Sequence, residues 1–206
     1  MDVAGPWTGP WTGRWRWRWR WRWRWQADEV RNLPPAAEAI NASDWMERLL
    51  RRAQRVGDAG EIPVAAVVLD AGGRAIGWGC NRRERDQQPL GHAELVALQQ
   101  AARLRGDWRF NDCTLLVTLE PCPMCAGALV QARMGRVIFG AADPKRGGLG
   151  GVLDLSADPS AHHRMEVMGG VEAGRCSAQL EAWFRQRRQQ LQERKRGTPA
   201  ARPSAG

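Results

Sequence analysis

His92 and Glu94 stand two residues apart, and Cys122 and Cys125 frame a two-residue step behind Pro121. One imidazole and two thiols are donors that zinc favours. Three protein donors leave the fourth position of a tetrahedral ion open to water. A C-x-x-C pair at a helix start lets both sulfurs face one way, and the helix N-terminus favours thiolates. Glu94, in the first turn of the same helix as His92, reaches the same pocket. A carboxylate there takes a proton from water and hands it on. Two other uses stay open. A redox pair needs no His-x-Glu upstream. A structural zinc site needs a fourth strong ligand, for which His162, His163, Cys80, Cys113 and Cys176 are the candidates.

These residues need a frame. Asn41 or Ser43 can cap a helix running through Arg55, with Trp45, Met46, Leu49, Leu50 and Ala53 as its apolar stripe. Residues 63–69 (PVAAVVL) read as a buried strand, 70–73 as a turn and 74–80 as the second strand of a hairpin. Residues 81–91 read as a polar loop, 92–104 as a helix and 114–119 as a strand. A helix over 123–133 opens on Pro123, suited to a first turn. Residues 136–140 read as a strand, 145–151 as a glycine-rich loop, 164–168 as a last strand and 173–194 as a long basic helix. Alternating strands and helices predict an α/β class.

The formal charge of +9 is unevenly spread. Residues 1–25 hold six Arg and one Asp in a strict Arg/Trp alternation, so they supply five of the nine charges. The remainder is only mildly basic, compatible with an anionic partner. Residues 1–42 are expected to be a low-complexity segment and linker without order. The alternation would suit stacking on nucleic acid or a membrane surface. Its composition fits better with translated repetitive DNA upstream of a misassigned start, without a role in the activity. The organised domain is expected over 43–196 and a disordered tail over 197–206. Five Cys and no secretory h-region suggest a reducing cytoplasm. No stretch of about 18 apolar residues is present to span a membrane.

His92-Ala93-Glu94 with Pro121-Cys122-Pro123-Met124-Cys125 matches the H-x-E…P-C-x-x-C signature of zinc nucleobase deaminases. From about Ser43 to Arg188 the chain resembles the bacterial tRNA-specific adenosine deaminases of the cytidine/deoxycytidylate deaminase superfamily. The resemblance rests on GHAELVALQQA, on TLLVTLEPCPMCAGALVQARMGRVIFGAADPKRGG, on HHRMEV, and on Trp183-Phe184-Arg185-x-Arg187-Arg188. It implies a three-layer α/β/α fold around a mixed five-stranded sheet. It also implies a homodimer, one zinc ion per subunit, and conversion of adenosine to inosine at the wobble position in the anticodon loop of an arginine tRNA. His92, Cys122 and Cys125 fall on the zinc ligands and Glu94 on the proton shuttle. Asn81, Asp143 and Val64 fall on substrate-binding positions. Asn81 has a weaker alternative as a turn residue after a strand, and Asp143 a nearly even one as a cap or turn before Pro144. Lys145, Arg185, Arg187 and Arg188 are candidate RNA contacts, although cations at a helix end are also favoured by its dipole. The chain departs from the family at Ala65, where glycine is usual, and at Leu90-Gly91, where Thr-Ala is usual.

Two rival functions follow from the same residues. One is deamination of a free base or nucleotide of the cytosine or guanine kind, which needs no basic helix. The other is a zinc-stabilised RNA-binding module without catalysis, which does not need the free carboxylate of Glu94.

Overall fold

Residues 40–197 are described in the computed structural model of the chain. The Arg/Trp segment and linker through residue 39, and the tail from residue 198, lie outside the described residues. Helix α1 (Ala42–Asp58) starts on Asn41, whose side chain accepts from the Asp44 amide at 3.3 Å, the capping role expected of it. Strands β1 (Ala65–Leu69) and β2 (Ala75–Cys80) form the hairpin. Its turn is tied by Asp70, which accepts from the Gly72 and Arg74 amides.

The stretch expected to be an irregular loop holds one short helical turn, α2 (Arg83–Asp86). Its signal is tertiary: buried Glu61 accepts from the amides of Glu84 at 2.8 Å and Arg85 at 3.3 Å. Then come α3 (Ala93–Arg105), β3 (Thr114–Leu119), α4 (Pro123–Gln131), β4 (Arg136–Ala141), β5 (Glu166–Met168) and α5 (Ala173–Gly197). The last helix runs three residues beyond its expected end.

The five strands order as β2-β1-β3-β4-β5. β1 is antiparallel to both neighbours, whereas β3, β4 and β5 run parallel. This is the mixed five-stranded sheet expected. Both faces are covered, which explains why β1 reads as a continuous apolar run and why β3 is buried along nearly its whole length, Thr114 and Thr118 included. Ala66, Val68, Leu115 and Val117 pack toward α3 and α4. Ala65, Val67, Leu69 and Leu116 pack toward α1, together with Cys176 of α5. The Ala65 methyl, a departure from the family pattern, therefore lies in the core on the α1 side.

Helix α3 lies unusually close to the edge strand β2. A methyl group on Gly79 would strike the Ala93 carbonyl and sit 2.6 Å from the Ala97 nitrogen, and one on Gly77 would strike the Ala97 carbonyl. Ala93, Ala97 and Ala101 keep the facing side of the helix equally thin. Gly79→Ala is therefore expected to destabilise the fold by about 1–3 kcal/mol, read as a lower denaturant midpoint. It should also reduce activity, because Ala93 sits between His92 and Glu94.

Candidate active site

Strands β2, β3 and β4 point the same way, and their carboxyl ends meet the start of β1 at one edge of the sheet. α/β sheets commonly bind ligands outside such strand ends. A cleft of about 670 Å³ opens there. Val64 precedes β1, Asn81 follows β2, Glu120 and Cys122 follow β3, and Asp143 follows β4; all line the cleft with His92 and Glu94.

Two helix N-termini converge on it. His92 is the residue before the first turn of α3, and Cys122 holds the same place before α4, which has Pro123 in its first turn. The Cys122 and Cys125 sulfurs lie 3.7 and 3.5 Å from the His92 Nδ1. Ordinary zinc–sulfur and zinc–nitrogen bonds at the tetrahedral angle put sulfur and nitrogen about 3.6 Å apart, so the donor set fits that ion. Among the described residues these three are the only His, Cys, Asp or Glu group with metal-holding geometry. His162, His163, Cys80, Cys113 and Cys176 do not join them. That leaves no fourth protein ligand among the described residues, which fits a catalytic site with an open position and not a structural site, which needs four.

Hydrogen bonds from the Cys125 thiol and the His92 ring pull Cys122 down to about 3. Cys125 is pushed far above the usual thiol range by the Cys122 sulfur beside it and by burial. The two sulfurs lie against one imidazole, and a cation held between them would favour the thiolate form of both. Glu94 is only 4% exposed, and burial pushes its carboxyl up to about 6. That is close to neutrality, where a proton-transfer group works best.

Asn81 is buried against the cleft. Its carbonyl oxygen accepts from the Ala93 amide at 3.1 Å, tying β2 to the start of α3. Its amide NH2 is left as a donor. The Asp143 carboxylate is engaged with its own loop, accepting from the Lys145 and Arg146 amides at 3.0 Å each. This is the turn use that its place before Pro144 allowed.

The basic helix sorts by its period. Leu180, Glu181, Phe184, Arg185 and Arg188 line the cleft, and Arg187 does not. Trp183 turns the other way and anchors α5 to α1, donating its indole N–H to the Gly57 carbonyl at 3.0 Å.

Sequence reading missed several residues of the cleft. Arg83 on α2 and Arg146 beside Lys145 add two cations to its wall. Glu120 is 3% exposed, yet its carboxylate faces the loop after β4. A charged residue closing the apolar strand 114–119 was the available signal.

Known proteins resemble this chain along the same stretch. Residues 40–141 match the cytidine and deoxycytidylate deaminase zinc-binding region. The tRNA-specific adenosine deaminase of Bacillus subtilis is 40% identical over 144 residues, which cover 70% of this chain and 89% of that protein. The chain belongs to the tRNA-specific adenosine deaminase family. A structure solved in studies of A-to-I editing by tRNA:A34 deaminases at the wobble position superposes with a TM-score of 0.64 at 33% identity. It covers 66% of this chain and 99% of that one. The tRNA(Ile)-lysidine synthase of Deinococcus radiodurans is 46% identical over 158 residues, but the chain spans only 26% of that longer protein. The matched family region is zinc-binding, in keeping with the His92, Cys122 and Cys125 cluster.

Proposed function

We propose that this deaminase converts adenosine to inosine at the wobble position of an arginine tRNA, acting in the cytoplasm as a homodimer with one zinc ion per subunit. The observation that carries the chemistry is the buried Glu94 carboxylate beside a three-donor cluster in an open cleft. Zinc held by His92, Cys122 and Cys125 would supply a water acidified to near neutrality. Glu94 takes the proton of the attacking water, holds it away from solvent, and delivers it to the adenine ring nitrogen. A second proton passes through the same carboxylate to the amino group on carbon six. Water's oxygen bonds to carbon six, the carbon–nitrogen bond breaks, and ammonia leaves. The Asn81 NH2 donates to the purine edge, and Val64 walls the base.

A duplex base cannot enter such a cleft, whereas an unpaired loop nucleotide can be turned into it. Arg83, Lys145, Arg146, Arg185 and Arg188 line the cleft with cations suited to phosphates. The homodimer rests on the family resemblance; exposed Met124 and Val152 stand beside a recess that also holds Arg83, Lys145 and Arg146. Among the described residues no helix is long and apolar enough to cross a membrane.

The test is one incubation series. The protein is given an arginine-tRNA anticodon stem-loop, free adenosine, free cytosine and free guanine, and inosine and ammonia are measured. Inosine from the stem-loop alone is the expected result. Turnover of a free base with none on RNA would favour the small-molecule reading. Helix geometry adds a sharper expectation. Arg185→Ala with Arg188→Ala should weaken RNA binding and reduce the slope of log K against log salt by about 1 to 2. Arg187→Ala, off the cleft, should leave that slope nearly unchanged. Equal slopes for all variants would remove α5 from the RNA contact.

A further inference from the structure

Glu120 has no part in the proton chemistry, yet it is among the most completely engaged side chains around the cleft. Its Oε2 accepts from the Asp143 amide at 2.9 Å, and its Oε1 from the amides of Leu149 at 3.1 Å and Gly151 at 2.8 Å. One buried carboxylate thus gathers both ends of the glycine-rich stretch that follows β4. The glycines of that loop are shaped around it. A methyl group on Gly147 would strike the Glu120 carboxylate, and one on Gly151 would come within 2.7 Å of it. The loop also rests on the metal-ligand turn, because the Gly148 amide donates to the Pro121 carbonyl at 2.8 Å.

The bonds continue outward. Glu120 holds the Asp143 backbone, and the Asp143 carboxylate holds the amides of Lys145 and Arg146. Those two residues carry the loop's cations in the cleft wall. We propose that Glu120 is a positioning residue for the nucleic-acid substrate: it fixes the glycine-rich loop so that Lys145 and Arg146 meet the phosphates next to the reacting nucleotide. This rests on the reading that the substrate is RNA. A flexible loop would have to be ordered when RNA binds, and a loop already held saves that cost.

Glu120→Gln separates the contacts. The glutamine oxygen can keep the Leu149 and Gly151 amides, whereas its NH2 faces the Asp143 N–H and cannot accept from it. Amide hydrogen exchange at Asp143 is expected to quicken about tenfold or more, with Leu149 and Gly151 much less affected. KM for the anticodon stem-loop should rise about tenfold, with kcat within about twofold and zinc content unchanged. In a Lys145→Ala, Arg146→Ala background the same substitution should have little further effect on KM, because its route to the substrate is gone. Unchanged exchange at Asp143 would overturn the clamp itself. So would a KM effect that adds fully to the double alanine variant, since Glu120 would then act elsewhere. Loss of zinc and kcat with KM unchanged would assign Glu120 to the ligand turn and overturn the proposal. Failure of the RNA reading shows separately, as wild-type protein that makes no inosine from the stem-loop.

Discussion

Glu94→Gln is expected to keep a full zinc complement and to lower kcat/KM by about 10²–10⁴-fold, the range a positioned acid–base group contributes. The amide has nearly the same shape, so the buried site next to Ala93 is not emptied. None of His92, Cys122 or Cys125 is altered. What is lost is the ability to take a proton from water and return it to the purine, and both halves of the reaction need that exchange. An amide cannot serve in either. Single-turnover inosine formation on a stem-loop, with zinc measured by elemental analysis, separates the possibilities. Wild-type turnover would mean that protons travel by another route. Zinc loss in step with activity would mean that Glu94 supports the metal instead. A normal KM beside a collapsed kcat is the expected pattern, because the interaction is made only as the reaction proceeds.

The chemistry of this site was legible because it is carried by residue types at short spacing. A His two residues before a Glu, and a C-x-x-C behind a proline, need only a helix start to bring their donors together. That start is written locally, in Pro123 and in the turn-rich residues before His92. The α/β class was legible for a similar reason, from strands alternating with helices, whereas the three layers came from the family resemblance and are what the two core clusters show. The residues that shape the cleft were less accessible. Glu61 and Glu120 act on backbone amides 23 to 31 positions away, so no local pattern announces them. Helix α2 depends on Glu61 and went unseen with it. Arg187 was grouped with Arg188 by adjacency, although residues one apart on a helix diverge by about 100° and the period alone separates them.

Cys122→Ser is expected to abolish zinc binding and, with it, deamination. The serine hydroxyl stays protonated at neutral pH, so it offers no anionic donor where zinc takes a thiolate from Cys122. The protein itself should survive the change. Cys122 is only partly buried and stands at the cap position of α4, where serine is among the favoured residues and is worth about 0.5–2 kcal/mol over alanine. The metal-free variant should therefore unfold no more readily than the metal-free parent. The difference should appear when zinc is added. A ligand at a hundred times its Kd stabilises the native state by about 2.7 kcal/mol, so the parent's Tm should climb with zinc while that of the variant stays flat. Cys125 makes the contrast, because it is wholly buried and Cys125→Ser should lower stability even without metal. A Cys122→Ser protein that retained one zinc per chain would show that this sulfur is not a ligand. The case for an open fourth position would fail with it, since that position is inferred from three donors and no more.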